Sequence, residues 1–74
     1  MKTTTTKLAC EKLAMVISLK QKGDNYLVVI KETKNTLSRA NNVYNFEYRN
    51  YGDALNKYVS VVEEEANHIA LMSL

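Results

Sequence analysis

Seventy-four residues, 46% hydrophobic and 24% charged, with two Gly and no Pro, make at most one small domain spanning residues 1–74. The same figures exclude wholesale disorder, a collagen-like repeat and a disulfide scaffold. The net charge of +2 conceals a split: residues 1–50 carry nine Lys/Arg and four acids (+5), residues 51–74 one Lys and four acids (−3).

Residues 1–7, four threonines flanked by lysines, are polar and of low complexity. This composition predicts a frayed N-terminal tail, although β-branched threonine also permits a short edge strand. Residues 8–14 have acceptable helix propensity but no strong stop signal, so strand, helix and tail all stay open for residues 2–14. The clearest local structure follows. Residues 15–21 and 26–32 are two β-prone runs, and Lys22-Gly23-Asp24-Asn25 between them suits a two-residue turn with glycine at a positive-φ position. That turn sets a register in which Lys22 faces Asn25, Leu19 faces Val28, Ile17 faces Ile30 and Met15 faces Glu32. One face then collects Met15, Ile17, Leu19, Tyr26, Val28 and Ile30 as core. The other collects Val16, Ser18, Lys20, Leu27, Val29 and Lys31, a mixed surface.

Residues 33–42 are polar, with Leu37 isolated, and read as a connection that Asn41-Asn42 can turn. Residues 43–49 alternate strictly, with Tyr44, Phe46 and Tyr48 on one side and Val43, Asn45, Glu47 and Arg49 on the other, the pattern of a half-buried strand. From Asp53 the period changes to that of an amphipathic helix. Its apolar arc is read as Leu55, Tyr58, Val59, Val62, Ala66 and Ile69, with Asn50 or Asp53 as the cap. Residues 68–74 either extend this helix or form a short last strand after Asn67. The architecture expected is α+β: a two-layer sandwich in which a three-stranded antiparallel sheet, hairpin plus aromatic strand, is packed by one C-terminal helix.

Chemistry-bearing residues are few. Cys10 is the only cysteine and His68 the only histidine, so neither an internal disulfide nor a standard four-ligand zinc site can form. A lone thiol and the absence of any apolar run near the ~20 residues of a membrane span point to the cytoplasm. Four threonines after Met1-Lys2 also lack the apolar segment of a secretory leader. Glu63, Glu64 and Glu65 are consecutive, so on a helix they fan out over about 200° and cannot converge on one metal ion. Gly23 and Gly52 stand alone, and no nucleophile, base and orienting group recur at a useful spacing. Neither a cofactor nor an enzymatic activity is therefore expected. The aromatic row Tyr44, Phe46 and Tyr48 beside basic residues could stack bases, but in a chain this small it is needed for burial.

A domain this small buries only about 60% of the surface of its unfolded chain, which favours a stabilising partner. In size, layout and an Asn-, Lys- and Tyr-rich composition, the chain resembles the small phage or mobile-element inhibitors of the anti-CRISPR kind. That group shares no defining motif, so no residue role transfers. The resemblance implies a non-enzymatic protein-binding inhibitor or adaptor that blocks a nucleic-acid-handling defence complex in the host cytoplasm. Glu63, Glu64, Glu65 and the neighbouring Lys57 would form the partner-binding face. The alternative is a small nucleic-acid-binding module using Lys20, Lys22, Lys31, Lys34, Arg39 and Arg49. A homodimer, edge to edge or helix to helix, is compatible with either reading.

Overall fold

The hydrophobic alternation on either side of Gly23 dictates the centre of the molecule. A computed structural model describes residues 3–34 and 41–72. In it β2 (Leu13–Lys22) and β3 (Asn25–Lys34) pair antiparallel in the register the turn predicts: Lys22↔Asn25, Leu19↔Val28, Ile17↔Ile30 and Met15↔Glu32. Gly23 stands at φ +60 with open space where a Cβ would be, so the turn requires glycine for its backbone angle and not for room. The strand β4 (Asn41–Tyr48) adds to β3 through Tyr26↔Tyr48, Val28↔Phe46 and Ile30↔Tyr44.

The sheet has four strands, not three. The N-terminal segment read as a tail supplies β1 (Thr4–Ala9), paired antiparallel to β2 through Thr6↔Ile17 and Leu8↔Met15. The Cys10 amide donates to the Leu13 carbonyl at 2.8 Å and closes the turn between them. Without β1, the outer row of β2 N–H and C=O groups would have no partners beside a buried strand, which is costly. Low complexity concealed a usable alternation: Thr4, Thr6 and Leu8 share the core-side face, and β-branched threonine suits an edge strand. The strand order is β1-β2-β3-β4, a simple meander. Leu37 and Arg39, in the connection between β3 and β4, lie outside the described residues.

One helix, α1 (Tyr51–Met72), crosses one face of this sheet. Asn50 caps it: its side-chain oxygen accepts from the Gly52 amide at 2.7 Å, and its carbonyl accepts from the Ala54 amide at 3.2 Å. The helix continues through His68 to Met72, so residues 68–72 extend it and form no last strand. Glu63, Glu64 and Glu65 therefore sit two turns before its end, away from the unfavourable negative pole of the dipole.

The buried stripe of α1 differs from the predicted arc. Ala54, Tyr58, Val61 and Ile69 are buried and Val62 is half-buried, whereas Leu55 (37%) and Val59 (45%) stay exposed. The helix is turned by roughly 70° from the expected face, as 100° per residue requires. Specific contacts fix the rotation. The Tyr58 hydroxyl bonds Thr6 of β1, Lys57 lies 4.4 Å over the Phe46 ring of β4, and Tyr51 meets Tyr26 edge-on at 5.4 Å. Ala54, wholly buried, lies where a larger residue would hold the helix off the sheet. The resulting core joins these helix residues to Leu13, Met15, Ile17, Leu19, Val28 and Ile30, with Leu8, Tyr26, Phe46 and Tyr48 packed around it.

Candidate binding surfaces

Among the described residues one helix packs on one face of the sheet, and no helix or strand packs on the other. By strand alternation that open face carries Val16, Leu27, Val29 and Val43 interleaved with Lys7, Lys20, Lys22 and Lys31, and the row Lys7, Val16, Lys31, Val43 crosses all four strands. Val29 is only 6% exposed, although it lies outside the core cluster beneath the helix. Val43, on the edge strand, is 57% exposed. Lys7 and Lys31 occupy one cross-strand row with Val16 between them, which sets their backbones about 10 Å apart. Lys20 lies one strand from Lys31 and four residues along.

Lys22 is the one lysine of this group with an ion pair: its Nζ lies 3.5 Å from a Glu47 carboxylate oxygen. The other Glu47 oxygen accepts from Asn25 Nδ2 at 2.7 Å. That hydrogen bond, and then the lysine charge, hold the Glu47 carboxyl below its ordinary value of 4.5. Four lysines against one glutamate leave the open face at +3. Among the described residues, Lys7, Lys20 and Lys31 make no ion pair.

The helix presents the opposite sign. Asp53, Glu63, Glu64 and Glu65 against Lys57 give α1 a net charge of −3. The four residues expected to form one partner-binding face divide. Glu63 and Glu64 are exposed on the outer side, 100° apart around the axis. Glu65 is half-buried and lies 3.4 Å from His68 Nδ1 one turn on. Lys57 is drawn to the Phe46 ring on the β4 flank. The outward acids are thus Asp53, Glu63 and Glu64.

The basic residues expected to hold nucleic acid also divide. Lys20, Lys22 and Lys31 share the open face. Lys34 belongs to the helix-side face and lies 3.7 Å from Glu32. Arg49 is exposed in the bend after β4, and Arg39 lies outside the described residues. Tyr44, Phe46 and Tyr48 lie on the helix side of the sheet, so no aromatic platform stands on the basic face. Phe46 and Tyr48 pack on the core, and Tyr44 is 47% exposed at its margin. Reading the sequence placed Val16, Leu27 and Val29 on one face with Lys20 and Lys31, as observed, but did not join Lys7 and Val43 to it. The signal was the Thr5, Lys7, Ala9 alternation, hidden in a segment taken for a tail.

Among the described residues, no group of three or more His, Cys, Asp or Glu could hold a metal ion, and no helix is long and apolar enough to cross a membrane. The chain matches no protein-family model, no curated protein and no solved structure.

Proposed function

We propose that this chain is a non-enzymatic binding protein of the anti-CRISPR kind, a cytoplasmic inhibitor or adaptor of a larger protein that handles nucleic acid. The observation that carries this reading is the set of outward acids, Asp53, Glu63 and Glu64, on a helix packed to the sheet by a buried stripe. A preformed rod of negative charge suits a groove lined with Lys and Arg, where it would stand in the place of phosphates and steer association. Glu63 and Glu64 make that contact; Glu65 is turned toward His68 and Lys57 toward Phe46, so both contribute less. Capture from host lysate, read by mass spectrometry, tests the idea. Wild type should retain a nucleic-acid-handling protein, and Glu63→Lys/Glu64→Lys should lose it. Undiminished capture by that variant sinks the reading.

The clustering of Lys7, Lys20, Lys22 and Lys31 on one face favours a second reading, a small nucleic-acid-binding module. Phosphate contacts of this kind give affinity that falls steeply with salt, so binding to single or double strands should be strongest at ~50 mM salt.

A further inference from the structure

The two faces of the molecule complement each other in charge and in texture. We propose that the chain assembles head to tail, the outer face of α1 in one copy seating on the open sheet face of the next. This inference goes beyond partner capture and does not depend on it. The open face sets Val43, 57% exposed, directly beside Lys31, with the half-buried Val16 on the other side of that lysine. One flank of α1 exposes Leu55, Val59 and, one turn on, Glu63, whereas Glu64 lies about 140° around the axis from Val59. The spacings agree. Val59 to Glu63 is about 6 Å along a helix, and Val43 to Lys31 is about 5 Å across paired strands. Leu55 and Val59 can therefore rest against Val43 and the half-buried Val16 while Glu63 reaches Lys31. A helix already covers one face of this sheet; a second helix on the other face completes a three-layer arrangement.

Like faces cannot pair in the same way. Two sheet faces would oppose lysine to lysine, and two helix faces glutamate to glutamate. The contact is consequently heterologous, and repetition extends it into chains or closes it into a ring. With a small apolar floor and exposed ion pairs, the association is weak, with a dissociation constant on the order of 0.1–1 mM.

Sedimentation of the full chain across that concentration range, at ~50 mM and ~500 mM salt, tests the proposal. Wild type should rise past the mass of a dimer as concentration increases, and high salt should reverse the rise. Lys20→Glu/Lys31→Glu makes both faces acidic, and Glu63→Lys/Glu64→Lys makes both basic. Each variant alone should stay monomeric, and an equimolar mixture should associate again. Concentration-dependent amide shifts of the wild type provide a measurement that needs no variant. They should map to the open sheet face and the outer side of α1. A wild type that remains monomeric at ~1 mM and low salt overturns the proposal. So does a mixture that fails to associate while both variants keep the wild-type circular dichroism, or a set of shifts confined to one face. Lys20→Glu/Lys31→Glu leaves the acidic helix intact, so its retention of a captured partner distinguishes the two ideas.

Discussion

At the scale of single residues, Glu47 shows how one position on a strand acquires a measurable signature. It faces outward on β4, accepts from Asn25 and pairs with Lys22, and both interactions favour its charged form. A carboxyl whose folded value lies below its unfolded one adds stability above the unfolded value and loses it as pH falls through the folded one. The contribution of Glu47 is therefore present above about pH 4.5 and disappears on acidification below that. Glu47→Gln should melt below wild type at neutral pH, and the gap should close in acid, as thermal unfolding at both pH values would record. A gap independent of pH would assign the loss to packing. Nothing in the linear alternation of residues 43–49 marks Glu47 for this role. It arises because β3 and β4 pair so that Glu47 comes opposite Leu27, near both Asn25 and Lys22.

At the scale of elements, local rules were the most legible. The β2–β3 hairpin was readable to the residue because a Gly-Asp turn and period-two hydrophobicity constrain the same register independently. The helix was legible as a helix, and Asn50 was one of its two candidate caps. Asn50→Ala removes the acceptor of the Gly52 amide and should cost about 1 kcal/mol, measured by chemical denaturation. Amides of the first turn of α1 should then exchange faster with solvent. Which face of α1 turns inward was not legible. Periodicity counts apolar residues, whereas the observed rotation follows from Ala54 against the sheet, Tyr58 on Thr6 and Lys57 on Phe46. Those contacts join residues 11 to 52 positions apart and leave no mark on local pattern. β1 was left undecided between strand, helix and tail for a related reason: a run of threonines is compatible with a tail until a buried neighbouring strand supplies an edge to satisfy.

At the scale of the whole molecule, the two faces of the sheet should respond differently to truncation. Ile17 is fully buried under the helix, and Ile17→Ala should cost about 2–5 kcal/mol. Because a core of this size rarely supplies more than about 3–5 kcal/mol, that variant should be largely unfolded by circular dichroism at room temperature. Val43→Ser, on the open face, should stay within about 0.5 kcal/mol of wild type. A large loss at Val43 in dilute solution would mean that something already covers the open face.

By itself the sequence determined the α+β class, the hairpin and its register, the aromatic strand and the existence of one long C-terminal helix. Each of these rests on residues close together along the chain, where turn chemistry and period leave one consistent solution. Only the tertiary structure decided that the sheet has a fourth strand, that α1 buries Ala54 and Tyr58 and leaves Leu55 exposed, and that Glu63 and Glu64 come to lie on the opposite side from Lys7, Lys20 and Lys31. Sorting charges onto faces requires knowing which side of the sheet the helix covers. That choice is made by packing between distant segments, so a charge imbalance along the chain became a polarity through the molecule only once the core had formed.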